Sequence, residues 1–509
     1  MKRNRIGALL LTFPLLAAIG AAEHAFEDVT EEVGGLSGYT TVHPYTAPHT
    51  AWGDFDNDGW VDIFQGSLGY KDRPPMKCGV WKNIEGKKFK LAAELPSDCL
   101  AAIWGDYDND GYLDLYCWSN GQLFRNQGGE SFEKITMPAG HPKQSRGACW
   151  GDFDGDGWLD LYVSGFEIWP DQEFADVIFR NQGGKAFQLW WQQTKILRGR
   201  GVTAADFDED GDLDVYVSNY RLQPNLLWRN DGSGSFTEQA VSYGVAGDGE
   251  DGSWGHTISS AFGDFDNDGR IDLLVGNFSH PPENQDRVKL LRNTGAAGQF
   301  RFKDMGSSAA PQWQESFASP ALADFDNDGF LDYYLTTVYE GGQSVLYRNI
   351  SADFSQGPNS RSGSERSPVG EWRFQDVTDE TGVTTESTYG AGWADFDNDG
   401  DVDLLAGARL FRNPGNDNHW LRLRLDGGAG ANRGSIGARI RVRSGPWLLV
   451  RQVEGGTGEG NQNDQAVHFG LGSRGQPVKV TIHWPGGEDQ TFETKVDRIL
   501  DVVKESAKR

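Results

Sequence analysis

The residues best suited to chemistry recur in one string, D-aromatic-D-x-D-G-x-x-D, which begins at Asp54, Asp106, Asp152, Asp206, Asp264, Asp324 and Asp395. Carboxylates at positions 1, 3 and 5 of a tight loop can point inward together, and the glycine at 6 permits the sharp turn. A carbonyl at 7 and an acid at 9 complete a set of hard oxygen donors, the kind calcium takes six to eight of at about 2.3–2.6 Å. The expected ligands in the first two loops are Asp54, Asp56, Asp58, Trp60 (by its carbonyl) and Asp62, then Asp106, Asp108, Asp110, Tyr112 and Asp114. The third and fourth loops supply Asp152, Asp154, Asp156, Trp158 and Asp160, then Asp206, Asp208, Asp210, Asp212 and Asp214. Asp264, Asp266, Asp268, Arg270 and Asp272 follow, then Asp324, Asp326, Asp328, Phe330 and Asp332, and last Asp395, Asp397, Asp399, Asp401 and Asp403. Up to seven calcium ions are therefore expected. EF-hands share the opening D-x-D-x-D-G but need Glu at position 12 and flanking helices. Position 12 is instead Gln65, Cys117, Val163, Val217, Val275, Leu335 or Ala406, and the flanks are β-type.

Charge supports the same reading. Of 74 acids, 28 occupy positions 1, 3, 5 and 9 of these loops, and the remaining 46 nearly balance 47 Lys and Arg, so the formal charge of −27 belongs to the loops. A surface this acidic repels phosphate, which excludes nucleic acid and an anionic membrane face as partners. With 12% aromatic residues the chain is also too apolar to remain disordered.

The loops must be positioned by short strands. Each string runs into an apolar stretch such as VDIFQG or LDLYVSG, and then into a second signature, L-aromatic-R-N, at Leu123, Leu227, Leu346 and Leu410. Weaker versions begin at Val80, Val177 and Leu290, and a Phe-led strand generally comes next, as at Phe132. Start-to-start spacings of 46 to 71 residues give about four strands per unit, the size of a propeller blade. The chain is thus expected to be all-β, with a seven-bladed β-propeller over residues 23–413. FEDVT at Phe26 matches FQDVT at Phe374, yet nothing similar follows Arg412-Asn413. The Phe26 strand is therefore expected to complete the last blade and remove the exposed edges. Residues 351–371, with their Ser, Gly and Arg, read as a flexible insertion in the sixth unit.

The two ends differ from the repeats. Residues 1–22 have a basic start, an apolar stretch and small residues at the end, the pattern of an export signal cleaved after Ala22, with no span left in the mature chain. In an exported chain Cys78, Cys99, Cys117 and Cys149 suggest two disulfides, in any of three pairings. Residues 414–509 alternate apolar and polar positions between glycine-rich turns and read as a small β-sandwich.

The repeats resemble FG-GAP/VCBS propellers, the calcium-loop type of integrin α-chain heads. NRGSIGARIRV, HFGLG and VTIHWPGG resemble an ASPIC/UnbV domain, although the turn GGTGEGNQNDQ lacks the aromatic usual before H-F-G-L-G. The combined order is similar to the cartilage acidic protein family and its bacterial relatives. That resemblance implies a secreted, periplasmic or cell-surface binding or adhesion module for a protein or glycan ligand. It also leaves an alternative, an exported enzyme or natural-product pathway accessory that uses the channel mouth.

In such propellers the residues preceding each string run along the channel toward the face opposite the loops. His49, Arg146, Arg200, His256 and Tyr389 are the candidates to hold an anionic or carbohydrate ligand there, with His43 nearby. No G-x-S-x-G, H-E-x-x-H or C-x-x-C occurs, and no catalytic residue is assigned. Trp52, Trp104, Trp150, Phe262 and Trp393 each stand two residues before a string and are expected to pack one blade on the next.

Overall fold

A computed structural model describes residues 25–34, 36, 48–67, 78–249, 253–280, 286–295, 301–306, 309, 311–351, 372–428 and 432–505. The expected signal, His43 and nearly all of the 351–371 insertion lie outside them. The chain is all-β. In the first unit, strands Pro48–Gly53, Asp62–Ser67, Cys78–Ile84 and Lys88–Leu95 pair antiparallel in that order. Six further four-stranded sheets repeat the pattern, with innermost strands Ala102–Gly105, Ala148–Gly151, Gly199–Ala205, His256–Gly263, Phe317–Ala323 and Ala391–Ala394. Each innermost strand neighbours the next, and the last neighbours the first, so the sheets form a closed ring. The seventh sheet is completed by the N-terminal strand, with Glu27 opposite Arg412 and Asp28 opposite Phe411, as the matching FEDVT and FQDVT segments suggested.

The tryptophans pack the ring as expected. Trp52, Trp104, Trp150 and Trp393 are buried. Trp104 lies over Gly53 and Trp150 over Gly105, where a side chain on either glycine would collide with the indole. The ring is also stitched by the asparagine of each R-N pair. Asn126 donates to the Phe55 carbonyl of the preceding sheet at 2.7 Å and to the Leu113 carbonyl of its own at 3.0 Å. Asn181, Asn230, Asn293, Asn349 and Asn413 repeat both bonds, and Asn83 closes the circle on Phe396 at 2.8 Å.

Of the two disulfides expected, one is present, Cys99–Cys117; Cys78 and Cys149 are buried outside any disulfide. The partners expected for a second bridge lie in different sheets, on the innermost strand of the third and the third strand of the first.

After Asn413 the chain forms two further sheets. One has three strands, Val467–Gly472, His419–Asp426 and Arg498–Val503; the other has Trp447–Gln452, Arg439–Ser444, Val478–His483 and Asp489–Thr494. Their apolar faces, including Leu421, Ile440, Phe469 and Val480, belong to one core cluster with Trp150, Val202 and Val215 of the ring. The segment between Gln452 and Val467 leaves the sandwich and enters the ring's central channel. There Asn461 and Gln462 add a parallel strand to the first sheet, opposite Thr50 and Ala51.

Candidate functional site

Two sites lie at opposite ends of the ring axis. At one end are the acidic loops, whose folding explains their composition. Position 1 turns back on its own loop: the Asp54 carboxylate accepts from the Asp58 N–H at 3.2 Å and the Gly59 N–H at 2.9 Å. Asp58 accepts in turn from the Trp60 N–H at 3.0 Å. Position 9 opens the second strand, and Asp62 accepts from the Phe55 N–H at 3.0 Å and the Asn83 N–H at 2.7 Å. The acid at 9 is therefore a clamp between loop and third strand as well as a candidate ligand. Position 4 lies in the left-handed region, at φ 57° for Asn57, and its side chain donates to the Gly111 carbonyl of the next loop at 2.7 Å.

The R-N signature contributes a base to every loop. Lys82 pairs with Asp56 and Asp58, Arg229 with Asp208 and Asp210 at 2.6 Å each, and Arg292 with Asp266 and Asp268 at 2.6 and 2.8 Å. Arg125, Arg180, Arg348 and Arg412 hold the corresponding acids of their own loops. One R-N base against at least four acids leaves each loop negative, and the fifth loop adds a second base, Arg270, on Asp268. Burial, reinforced by neighbouring carboxylates, pushes Asp62 up to about 9, Asp160 to about 8, and Asp106 and Asp152 to about 7. Asp264, Asp272 and Asp332 are raised well above the carboxylate range for the same reason.

The donor set fits a hard divalent cation. Ligand oxygens of Asp54, Asp56 and Asp58 lie within 4.8 Å of one another, as do those of Asp106, Asp108 and Asp114, and of Asp264, Asp266 and Asp272. Buried carboxylate oxygens on Asp56, Asp152, Asp206, Asp208, Asp266, Asp324 and Asp397 have no hydrogen-bond partner. A buried carboxylate oxygen with no donor is costly unless a cation faces it. The sandwich docks on this same end. Arg422 reaches Asp395 at 3.1 Å and also pairs with Asp464, Arg439 reaches Glu209 at 2.8 Å, and the Gly470 N–H donates to Asp324 at 3.1 Å.

From there the hairpin threads the channel and bonds the innermost strand of every sheet. Besides the first-sheet pairing, Gln462 Oε1 accepts from the Trp104 N–H at 2.7 Å, the Gly455 carbonyl from Trp150 at 2.8 Å and the Gly458 carbonyl from Val202 at 3.1 Å. The Glu459 N–H donates to Ser259 Oγ at 3.1 Å, Asn463 donates to the Leu322 carbonyl at 3.1 Å and accepts from Trp393 at 3.0 Å. Unpaired inner edges of the sheets are thus satisfied by one inserted segment. Only glycine fits at Gly458, where φ is 60° and a Cβ would stand 1.7 Å from Ser259 Oγ.

The hairpin tip emerges among the candidate ligand residues. Glu459 is fully buried, and its carboxylate lies 2.7 Å from Arg200 and 3.8 Å from Arg146. His49 Nδ1 is 2.9 Å from the Glu459 carbonyl oxygen, and the His49 ring stacks on Tyr389. Arg200 sits among the rings of Phe166, Tyr220, Phe278 and Tyr389, with its Cζ 5.3–5.9 Å from their centroids. Burial and the two guanidiniums push His49 down to about 3, so it is neutral. Burial alone would lower Arg200, but Glu459 more than offsets this; Arg146 stays lowered. Four of the five candidates therefore converge on one point. His256 stands beyond Tyr220, against His280 and Asp286.

Sequence reasoning placed these residues at an open channel mouth and did not foresee that Glu459 fills it. The available signal was the glycine-rich run followed by Asn461, Gln462 and Asn463, amides with no sandwich strand of their own to serve.

Residues 106–163, 206–275 and 264–335 match the FG-GAP-like repeat, and residues 428–509 match ASPIC and UnbV. The chain carries FG-GAP repeats followed by a C-terminal ASPIC/UnbV domain, the order found in cartilage acidic protein 1. Over 311 residues, 58% of this chain, it is 30% identical to cartilage acidic protein 1 of Mus musculus and of Homo sapiens, covering 43% and 42% of those proteins. The match thus spans less than half the length of these relatives. The V. cholerae biofilm matrix protein Bap1 aligns over 94% of this chain and 85% of its own, at 10% identity and a TM-score of 0.34, too loosely to inform the site. Among the described residues no helix is long and apolar enough to cross a membrane.

Proposed function

We propose that this chain of FG-GAP repeats and an ASPIC/UnbV domain is an exported calcium-binding module, with metal at one end of the ring and a ligand-recognition surface at the other. The observation that carries the calcium half is the set of buried, partnerless carboxylate oxygens, present in six of the seven loops. Asp54, Asp56 and Asp58, with the Trp60 carbonyl and Asp62, would hold the ion in the first loop, and their equivalents would do so in the others. When bound, calcium supplies charge neutralisation that fixes the loops. The seven-bladed form accounts for seven such sites.

The recognition half rests on His49, Arg146, Arg200 and Tyr389 gathering at the axis, with His256 beside them. Aromatic side chains with a few convergent polar groups are the usual lining of a ligand site. The ligand class is an extracellular protein or glycan. The test has two parts: metal content after dialysis against calcium, and binding to immobilised extracellular glycans and proteins in calcium and in EDTA. About seven ions with calcium-dependent binding supports the reading. Absence of bound calcium, or of any ligand in its presence, overturns the corresponding half.

A further inference from the structure

The mouth end of the axis has an unbalanced charge. Two guanidiniums, Arg146 and Arg200, face one carboxylate, Glu459, and the pairing is unequal: 2.7 Å to Arg200 against 3.8 Å to Arg146. Among the described residues Arg146 has no other ion-pair partner within 4.0 Å, and its side chain retains 23% exposure where Arg200 retains 6%. Polar atoms are left over on four members of the cluster. Arg146 Nε, Arg200 Nε, Glu459 Oε2 and His49 Nε2 are all buried without a hydrogen-bond partner. A hydrogen bond from His49 Nδ1 to the Glu459 carbonyl oxygen fixes the tautomer in which Nε2 is a bare acceptor. Had the arginines served only to anchor the hairpin, one well-paired guanidinium would suffice. A second guanidinium that is only partly exposed, with its Nε buried and unpaired, is an acceptor-poor cation that an anion would complete.

We propose that this end of the axis binds an organic carboxylate, and that Glu459 is its tethered resident competitor. An incoming carboxylate lands on Arg146 from the mouth and competes with Glu459 for Arg200. His49 Nε2 accepts from a hydroxyl or amide N–H carried beside that carboxylate. The proposal deepens, and rests on, the reading of this face as the recognition surface.

The test is calorimetric titration of the calcium-saturated full chain with acetate, glucuronate and N-acetylglutamate, using glucose as the neutral control. The carboxylates are expected to bind and glucose not. Glu459→Gln should bind them at least tenfold more tightly, because both guanidiniums are released. Arg146→Ala should weaken binding at least tenfold without lowering the thermal midpoint, since its ion pair is long and its guanidinium is short of acceptors. Preference for glucuronate over N-acetylglutamate identifies a sugar acid as the source of the carboxylate, and the reverse identifies an amino acid. Equal affinity in wild type and Glu459→Gln overturns the tethered-competitor role, and indifference to Arg146→Ala overturns the site. If Glu459→Gln fails to fold, Arg146→Ala in the wild-type background still decides. Glycan or protein binding that persists when all three carboxylates fail would sink this inference alone; loss of both would sink the recognition surface as well.

Discussion

The two ends of the propeller axis carry opposite charge, and one C-terminal domain reaches both. At the loop end, at least four acids per loop meet one base from the R-N signature, and the sandwich adds Arg422 and Arg439 without balancing the excess. At the mouth end, two arginines meet the single carboxylate of Glu459. Each end leaves buried polar atoms unpartnered: carboxylate oxygens and the Nε atoms of Arg125, Arg180 and Arg412 among the loops, and Arg146 Nε, Arg200 Nε, Glu459 Oε2 and His49 Nε2 at the mouth. The contrast shows how a ring of near-identical units acquires two different sites. Repetition sets the loop end, where every unit offers the same acids. The single hairpin sets the mouth end, where residues differ from unit to unit and only a non-repeated partner makes them a cluster.

Calcium removal should give the largest effect, and it separates the ends. Extracellular calcium modules have Kd near 10⁻⁴–10⁻³ M, so each site at tenfold excess adds about 1.4 kcal/mol. Seven sites sum to roughly 10 kcal/mol, enough to raise the thermal midpoint by on the order of 10 °C or more. Unfolding of residues 23–509 in EDTA and in millimolar calcium measures it. An unchanged midpoint would mean that the loops are satisfied by their own bases and the sandwich.

Next come the buried arginines that hold the C-terminal domain. Arg200→Ala strands the Glu459 carboxylate and should cost about 3–5 kcal/mol, with and without calcium. Arg422→Ala strands Asp464 and removes a cation beside Asp395. Its cost should be of similar size in EDTA and smaller in calcium, because the metal supplies the missing charge to Asp395. Chemical denaturation of both variants in both buffers gives the four values; an Arg200→Ala cost that tracks calcium would erase the distinction between the ends. Smaller again is Asn126→Ala, which leaves the Phe55 and Leu113 carbonyls unpaired between adjacent sheets and should cost about 2–3 kcal/mol.

Much of the ring was legible because its units repeat. D-x-D-x-D-G and R-N recur at blade spacing, and the matching segments at Phe26 and Phe374 marked where the ring closes. The meaning of R-N was not legible. That Asn83 bonds Phe396, more than three hundred residues away, depends on the closure itself. Lys82 and Arg125 looked like strand residues until the third strand brought them over Asp56 and Asp108. At the mouth, His49, Arg146, Arg200 and Tyr389 could be named because they precede the strings, and His256 with them, although Tyr220 separates it from the cluster. Glu459 could not, since it arrives from a turn in another domain. The cysteines failed for a related reason: four in one stretch suggested two bridges, but the fold brings only Cys99 and Cys117 together.

The smallest effect concerns acid, and it again divides the ends. His49, fully buried at the mouth, and His468, half-buried where it meets the Gly400 carbonyl near the loops, are both held down to about 3, chiefly by burial and then by neighbouring arginines. An unfolded histidine titrates near 6.5, so below that pH the unfolded chain takes up protons that the folded chain refuses. Their contribution is therefore complete above about pH 6.5 and is lost as pH falls toward the folded values. At pH 5 each should cost about 2 kcal/mol relative to pH 7. The raised loop aspartates act in the opposite direction without metal, because the folded chain then binds more protons than the unfolded one. The measurement therefore belongs in saturating calcium, which keeps those carboxylates ionised. His49→Asn keeps a donor for the Glu459 carbonyl and cannot titrate, so it should remove about a third of the acid loss, burial holding His141 down to about 4 as well. If it leaves the pH profile unchanged, the mouth histidine is already solvated, and acid acts on the loop end alone.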